Sequence, residues 1–417
     1  MKYGVIYYKD TDNIGDDIQT YAAYKFLPRV DYCIDREHMS DFVPDKKEFV
    51  KVIANGWYNH DKSSFLFSPY IYPLMVSMHF SKNDLITNPG YTFLDGYAKE
   101  KLKWFEPIGC RDENTAKELN KLGYKTFFSA CLTMTIDPIG EKKEEDYICA
   151  VDLKPEVLEH LKSITDSEIR EVSHWLIFDK DYSYEEKRKI IEEYTFKSFE
   201  DRAKYVEKNA NLSFEERMKN VEDLLKVYQN AKLVITDRIH VALPCLALGT
   251  PVLLIFYEHN SDRIETFKQF LVNCTEEDFF KFKKEDLEFT NKKDFVKYRN
   301  KLKKMAAEFV LSDELPKYEL PDIDVYKDFV NRTNYIKDMY KDRLYVANSS
   351  LREKEDELKK CREEKENEFK KCREEKEELR AKINELSTLA DEYTRIKGSK
   401  TWKIIGKYYD RKLKKKS

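Results

Sequence analysis

The chain has 417 residues, which is too long for one ordinary domain and predicts two or three folded units. Hydrophobic residues make up 41% of it and aromatic residues 14%, so a wholly disordered chain is excluded. The 75 basic and 78 acidic side chains leave a net charge of -3, which excludes a polycation that binds nucleic acid through its overall charge.

The N-terminal segment, MKYGVIYY, is followed at once by polar residues and lacks the long apolar core of an export signal. It therefore predicts a first buried strand. Two later stretches without formal charge, 63–81 and 241–257, are interrupted by proline or glycine. We interpret both as protein core rather than as membrane spans.

Continuous apolar runs alternate with helical patterns through the first two thirds of the chain. Such runs predict parallel strands buried on both faces, at 2–8, 49–53, 125–129, 147–152, 233–236 and 252–256. Between them, residues 214–230 predict a helix that begins with a capping box of Ser213 and Glu216. The alternation of strands and helices predicts an α/β fold.

A charged segment around residues 140–146 predicts the boundary between a first domain, 1–142, and a second domain, 146–345. Within the second domain, residues 183–211 are charged and have a helical pattern. They predict an insertion or a surface layer of helix.

The composition changes after residue 349 to mostly Glu, Lys and Arg, and a capping box of Ser350 and Glu353 predicts the start of a long exposed helix, 349–394. An eleven-residue repeat, CREEKENEFKK followed by CREEKEELRAK, indicates a coiled coil that is locally hendecad and then closer to heptad. Its narrow apolar seam consists of Leu351, Leu358, Cys361, Phe369, Cys372, Leu379, Ile383, Leu386 and Tyr393. We expect a homo-oligomer through 351–393; the alternative is a single helix stabilised by its own Glu and Lys pairs.

The last segment, 395–417, contains ten Lys or Arg residues and one Asp, so its charge is 10 minus 1, or +9. Aromatic and aliphatic residues, among them Trp402 and Ile404, are interleaved with these cations. This combination favours binding to an anionic membrane surface. Nucleic-acid binding and a disordered solubilising tail are the alternatives, and we expect no nucleic-acid partner.

The chain contains no GxGxxG or P-loop motif, and its eight cysteines form no CxxC pair or zinc-type cluster. We therefore expect reduced thiols, no metal site and no dinucleotide cofactor. Any phosphate must be held in another way.

The segment LVITDRIHVALPCLALGTPVLLI predicts a strand, a turn, a helix that begins near Arg238, and a stop at 249–251. Arg238 and His240 would then lie at a helix N-terminus beyond the carboxyl end of a strand, where open α/β sheets bind ligands. The helix dipole and the guanidinium predict an anion site at which His240 exchanges protons. Alternatively, Arg238 pairs with a structural carboxylate and His240 is an ordinary core residue.

Two other segments place polar residues at predicted strand ends. In PIGCRDENTAKELNKLGYKTFFSACLTMTI, Arg111 lies at the end of a predicted strand. It is either a cation that binds a ligand or one partner of an interdomain salt bridge. In DNIGDDIQTYAAYKFL, Gly15 permits a tight turn, and Asp16 or Asp17 caps a helix. A catalytic base or a contact to sugar hydroxyls is the functional alternative for these carboxylates.

Taken in order, these segments resemble the polysaccharide pyruvyl transferase family over residues 1–345. The resemblance rests on five motifs: NIGDDIQTYA, ANGWYNH, PIGCRDENT, SACLTMT and, most specifically, TDRIHVALPCLALGTPV. It implies two Rossmann-like domains that face a cleft, as in glycosyltransferases of the GT-B type. It also implies phosphoenolpyruvate as the donor substrate, with no further cofactor, and a pyruvate ketal on two hydroxyls of a cell-surface glycan as the product.

The same resemblance implies roles for individual residues. Arg111 and Arg238 would bind the donor, His240 would be the general acid/base, and Asp16 a second catalytic residue. Asn13 and Gly15 would lie in the substrate-binding turn. A donor-site lysine of the family is absent from FYEHNSDR, where Arg263 or His259 would replace it.

Two other functions stay open at this point: a GT-B-like glycosyltransferase that uses a nucleotide sugar, and a non-catalytic scaffold for glycan assembly. The end of the chain, SKTWKIIGKYYDRKLKKK, is similar to tails of bacterial surface-polysaccharide glycosyltransferases. We therefore expect a cytoplasmic protein attached peripherally to the inner face of the cell membrane, acting on a glycan or a lipid-linked sugar.

Overall fold

A computed structural model of the protein describes residues 1–11, 13–58, 67–80, 96–174, 211–257 and 264–398. Two parallel sheets with flanking helices, followed by a long C-terminal helix, confirm the predicted α/β class. Most of the predicted segment 183–211, Arg263, His259 and the tail from residue 399 onward lie outside the described residues.

The first sheet has the strand order β2-β1-β3-β4-β5-β6, and every neighbouring pair is parallel. Its strands are β1 (Lys2–Tyr7), β2 (Tyr32–Asp35), β3 (Val50–Trp57), β4 (Ile71–His79), β5 (Ile108–Cys110) and β6 (Thr126–Phe128). The accompanying helices are α1 (Ile14–Tyr24), α2 (Gly96–Lys103) and α3 (Glu113–Lys121), with 3-10 helices at Arg36–Asp41 and Leu132–Thr135.

The second sheet has the order β11-β10-β9-β7-β8 and is also parallel throughout. Its strands are β7 (Glu145–Val151), β8 (Glu168–Val172), β9 (Ala231–Thr236), β10 (Val252–Phe256) and β11 (Val272–Thr275). Around them lie α4 (Pro155–Ile164), α5 (Phe214–Asn230), α6 (Ile239–Leu248), α7 (Glu276–Phe279) and α8 (Val296–Leu311), with 3-10 helices at Glu265–Phe267 and Lys284–Leu287. The capping box of Ser213 and Glu216 at the start of α5 is confirmed.

Both sheets reverse their winding at one point. In the first sheet β1 lies between β2 and β3, and in the second β7 lies between β8 and β9. Ligands of open α/β sheets bind beyond the carboxyl ends of strands at such a switch point. The loops after β1 and after β9 are therefore the places to look for a site.

One buried apolar cluster joins the two sheets. It contains Ile18 and Tyr21 of α1, Met134 of the 3-10 helix, Val221 of α5 and Val241 of α6. Separate clusters cover the outer face of the first sheet, around Val52 and Met78, and the outer face of the second, around Ile235 and Leu253. Helix α1 thus packs between the two halves.

The chain returns to the first sheet after the second one is complete. The hydroxyl of Tyr3 donates to the carbonyl of Val310 at 3.2 Å, and Lys51 donates to the carbonyls of Phe309 and Ser312. Residues 1–330 accordingly form one compact unit. The domain limits 1–142 and 146–345 stay predictions; the last strand of the first sheet ends at Phe128 and the first strand of the second begins at Glu145.

Helix α9 runs without interruption from Ile323 to Gly398, and residues 331–417 form the second unit. The predicted helix start at Ser350 is therefore wrong. Ser350 lies in the middle of a helix that begins at Ile323, so the backbone there needs no N-cap. No helix among the described residues is long and apolar enough to cross a membrane.

Four strands were not predicted from the sequence patterns: β2, β4, β8 and β11. Strand β4 lies inside 63–81, which was interpreted only as core, and it contains Pro73. Strand β8 is at the sheet edge and only partly buried, so charged residues interrupt its apolar pattern.

A buried ion pair fastens α5 to α1. The Arg217 side chain donates to Asp17 at 2.6 Å, and to the carbonyls of Tyr8 and Lys9 at 2.6 and 3.1 Å. The two charged side chains are only 1% and 2% exposed. All contacts of the guanidinium cross from the second half of the unit to the first.

We expect Asp17→Ala to lower the free energy of unfolding by about 3–5 kcal/mol, because it leaves the Arg217 charge buried without its partner. The matched control is Asp223→Ala on α5, the helix that carries Arg217, since Asp223 pairs with Lys226 on the surface and the loss should stay below about 1 kcal/mol. Urea unfolding of both variants measures the difference. Equal losses would show that the buried pair does not hold the two halves together.

Candidate functional site

The turn between β1 and α1 begins the site. Asn13 is the N-cap of α1, and its side chain accepts the backbone N–H of Gly15 at 2.8 Å. The prediction that Asp16 or Asp17 caps this helix is wrong: Asn13 is the N-cap, and the two carboxylates lie three and four residues after it, inside the helix. Their carboxylates instead accept hydrogen bonds from arginine side chains, Asp16 from Arg36 and Asp17 from Arg217.

Asp16 is held at the carboxyl edge of the first sheet. Arg36, which follows β2, donates to its Oδ1 at 3.1 Å, and Thr11 donates to its Oδ2 at 2.8 Å. The Arg36 guanidinium is buried and stacks over the ring of Tyr8 at 4.2 Å. Sequence reasoning missed Arg36, because nothing in its local pattern marks it as the partner of a residue twenty positions earlier.

Gly15 lies directly against His240. A Cβ atom at position 15 would be 2.9 Å from Asn13 Oδ1 and 3.2 Å from both Cβ and Nδ1 of His240. A side chain there would have to displace the N-cap or the imidazole. The glycine thus permits close approach of the α1 turn to α6.

Arg111 follows β5 and reaches the same imidazole from the other side. Its Nη1 is 3.3 Å from His240 Nε2, and its side chain is 2% exposed. A guanidinium has only donors, so the ring nitrogen must accept. The contact therefore requires a neutral His240 with its proton on Nδ1.

The charge of Arg111 is poorly compensated. Its buried Nε has no hydrogen-bond partner, and no carboxylate forms an ion pair with it, within the part of the chain that the structure describes. The adjacent Asp112 is instead hydrogen-bonded to His79, at 2.6 Å. Buried cations normally have a paired anion, because desolvation of an isolated charge costs several kcal/mol.

Asp112 stays ionised beside this cation. Burial raises the pKa of Asp112, but the hydrogen bond and charge of His79, with the charge of Arg111, outweigh it and hold that pKa below its ordinary value. Asp112 is also the N-cap of α3, where its Oδ1 accepts the N–H of Thr115 at 2.8 Å. The His79 and Asp112 pair, which sequence reasoning missed, fixes the strand end that carries Arg111.

The Arg-x-His motif has the predicted local structure. Strand β9 ends at Thr236, α6 begins at Ile239, and Gly249 ends it in a left-handed conformation with φ of 75°. Arg238 is the N-cap and makes no side-chain cap hydrogen bond. The first turn of α6 therefore presents backbone N–H groups and the positive end of the helix dipole.

Arg238 pairs with a carboxylate, as the structural alternative expected. Its Nε is 2.5 Å from Asp152 Oδ2, and Asp152 follows β7 on the other side of the switch point. The same carboxylate accepts the backbone N–H of His174 and the hydroxyl of Ser173. Only the acidic residue at the end of the predicted strand 147–152 signalled this partner.

His174 connects the start of α1 to the second sheet. Its carbonyl accepts the backbone N–H of Ile14 at 3.0 Å, and its Nε2 contacts the Tyr228 hydroxyl at 2.8 Å. Burial, with the nearby charge of Arg238, places the pKa of His174 well below its ordinary value. His174 is thus a neutral structural residue, unlike a histidine that exchanges protons near neutral pH.

The structure brings together Asn13, Gly15, Arg111 and His240, with Asp16 beside them and Arg238 two residues before the imidazole. Their roles stay predictions. Among the described residues, no group of three or more His, Cys, Asp or Glu side chains could hold a metal ion.

Asp237 gives the site a group that titrates near neutral pH. Burial, with the charge of Asp152, raises the pKa of Asp237 to about 6 against the opposing effect of Arg238. Its Oδ1 is buried without a hydrogen-bond partner in the described part of the chain.

Between pH 4 and 6 the folded protein keeps a proton on Asp237 that the unfolded chain has released, since the unfolded pKa is about 3.9. The contribution of Asp237 to the free energy of unfolding should therefore fall as pH rises through this window. Urea unfolding of wild type and Asp237→Asn at pH 4 and 7 should show wild type losing stability relative to the variant. Parallel behaviour at both pH values, as expected for the exposed control Asp223→Asn, would contradict the assignment.

The family model for polysaccharide pyruvyl transferase matches residues 13–259, which is more than half of the chain. No curated protein matches. Among solved structures, a functionally uncharacterised protein from Klebsiella pneumoniae has 14% identity and a TM-score of 0.36, over 66% of this chain and 92% of its own.

A second solved structure, the UDP-GlcNAc 2-epimerase of Methanocaldococcus jannaschii in complex with UDP-GlcNAc and UDP, has 12% identity and a TM-score of 0.31. It covers 80% of this chain and 100% of its own. The assignment rests on the family model, whose match spans the α1 turn, Arg111 and the Arg-x-His motif. The chain belongs to the polysaccharide pyruvyl transferase family.

Proposed function

We propose that this transferase moves pyruvate from phosphoenolpyruvate to two hydroxyls of a sugar in a cell-surface glycan, as a ketal. Membership of the family supports a pyruvyl transferase. The donor, the acceptor class and the residue roles are our proposal.

The observation that carries it is the buried guanidinium of Arg111, which contacts His240 and forms no ion pair with a carboxylate among the described residues. An anionic ligand bound there would give the guanidinium the partner it lacks. Because Nη1 and Nε2 are 3.3 Å apart, that ligand would also lie within reach of the imidazole.

Phosphoenolpyruvate carries two anionic groups, so a second cationic contact is needed. We assign it to the N-terminus of α6 with Arg238, where backbone N–H groups and the helix dipole favour an anion. Asp152 orients the Arg238 side chain by its contact to Nε. Arg263 or His259, both outside the described residues, stays the proposed replacement for the family's donor-site lysine.

His240 would be the general acid. A donor anion that takes over the N–H groups of Arg111 releases Nε2 from its accepting role, and the imidazole can then carry a proton there. Nε2–H protonates the methylene carbon of phosphoenolpyruvate, which becomes a methyl group, and C2 becomes electrophilic.

The acceptor then completes the reaction. One sugar hydroxyl attacks C2, the C2–O bond to phosphate breaks, and the second hydroxyl closes the ketal. Of the two protons lost by the hydroxyls, one replaces the proton now in the methyl group and the other leaves with phosphate. We assign Asp16 as the carboxylate that accepts from an attacking hydroxyl, positioned by Arg36 and Thr11.

The proposed acceptor is a glycan or lipid-linked sugar at the inner face of the membrane. The basic tail 395–417 is the proposed attachment to anionic lipid. It lies outside the described residues from position 399 onward.

Turnover is tested by incubating the full chain with glycan acceptors and either phosphoenolpyruvate or nucleotide sugars. Phosphate release that depends on the acceptor is the expected result. Release of a nucleotide would instead indicate a glycosyltransferase, and no release with either donor would indicate a scaffold.

The Arg111→Gln variant tests whether Arg111 binds the donor or only stabilises the fold. We expect about tenfold to hundredfold weaker phosphoenolpyruvate binding by calorimetry, because a charge-assisted contact is worth roughly 1.5–3 kcal/mol. The free energy of unfolding should be unchanged or higher, since the variant removes a buried charge that has no carboxylate partner in the described chain. Arg170→Gln on the edge strand β8, half-exposed and paired with Glu168, is the matched control. Lost stability with unchanged binding would contradict the proposal.

His240→Ala should lower kcat by about 10²–10⁴-fold while largely sparing phosphoenolpyruvate binding, since general acid–base catalysis contributes on that scale. Gly15→Ala should lower kcat about tenfold, because its Cβ would crowd both the Asn13 side chain and the imidazole and so misplace His240 relative to the donor. The unfolding midpoint is the control for both. Wild-type turnover by His240→Ala would remove His240 from its assigned role, and wild-type turnover by Gly15→Ala would show that the close approach of the α1 turn is not needed.

A further inference from the structure

The C-terminal part of α9 has an apolar side chain at nearly every seventh position, and these side chains have no role in the proposed reaction. Counting in sevens from Leu351 gives Leu358, Lys365, Cys372, Leu379 and Leu386. The leucines on this line are 54–65% exposed and Cys372 is exposed. Five consecutive heptad intervals with one interruption favour a coiled-coil seam.

We propose that residues 351–386 pair with a second copy of this chain as a parallel, in-register, two-stranded coiled coil in which Cys372 faces Cys372 of the other copy. The leucine line takes position d. Position a then holds Glu355, Arg362, Phe369, Lys376 and Ile383.

Charge complementarity favours the parallel orientation. With this register, Glu368 and Glu375 occupy g positions, and Arg373 and Arg380 occupy the e positions that they face on a parallel partner. These two contacts join opposite charges, and symmetry forms each of them twice, whereas Lys354 at g faces Lys359 at e near the start of the segment. In an antiparallel pair centred on the same segment g faces g, so the glutamates would face each other.

The polar a positions favour two strands. Arg362 and Lys376 have long side chains whose charged ends reach water beside a two-stranded seam. A third helix would bury those ends. Polar residues at a positions are a known means of setting register and strand number.

The register makes a specific prediction about the cysteines. Helix axes about 8–10 Å apart, with Cα atoms about 2.3 Å from each axis, place directly facing Cα atoms roughly 3.4–5.4 Å apart, a range that overlaps the one a disulfide needs. A disulfide needs about 4.4–6.8 Å. Cys372 at d meets this requirement, whereas Cys361 at g does not face its own copy. If the eleven-residue repeat set the seam instead, Cys361 and Cys372 would occupy equivalent positions.

Mild oxidation of the full chain with diamide tests the register. The background variant is Cys33→Ser, because Cys33 is the other exposed cysteine. On a non-reducing gel, the background and its Cys361→Ser derivative should give a covalent dimer, and the Cys372→Ser derivative should give none. Cross-linking that needs Cys361 would overturn the heptad register, and so would equal cross-linking of both derivatives.

Sedimentation under reducing conditions tests the pairing without the cysteines. We expect a dimer whose Kd rises roughly tenfold or more in Glu368→Lys/Glu375→Lys and recovers when Arg373→Glu/Arg380→Glu is added. Glu364→Lys/Glu378→Lys, at outward positions of the same helix, is the matched control. A monomer at all concentrations, as expected for a single helix stabilised by internal pairs such as Lys354 with Glu357, would overturn the proposal.

Discussion

The buried pair of Arg217 and Asp17 is the interaction on which the site depends. It ties α5, beside the second sheet, to the first turn of α1, beside the first sheet. The backbone contact of Ile14 with His174 fixes the same turn from the second sheet. Because the α1 turn is held at two points, Gly15 can lie within van der Waals contact of His240 without a side chain between them.

The same packing places Arg111 where, among the described residues, no carboxylate forms an ion pair with it. Arg111 comes from the first sheet and His240 from the second, so their contact exists only when the two halves are packed together. Other carboxylates of the unit fix positions: Asp112 is hydrogen-bonded to His79, and Asp152 forms an ion pair with Arg238. Arg111 is a buried guanidinium that forms no ion pair with a described carboxylate, which is why we propose it as the residue that binds the anionic donor.

Local patterns predicted the parts of the site that are set locally. The strand, turn and helix around Arg238 and His240 follow from an apolar run, a short polar break and a glycine stop, all within twenty residues. Partners across the fold were not predictable in this way. Arg36 and Asp152 meet Asp16 and Arg238 only because the strand order places their loops side by side. Strand order depends on packing between distant segments, which no local periodicity records.

A crystal structure of the full chain with phosphoenolpyruvate, without acceptor, tests the central claim most directly. The account predicts an anionic group of the ligand within about 3 Å of the Arg111 guanidinium and the methylene carbon next to His240 Nε2. The direct contact between Arg111 and His240 should open as the ligand enters. A ligand bound elsewhere, with that contact intact, would contradict the account.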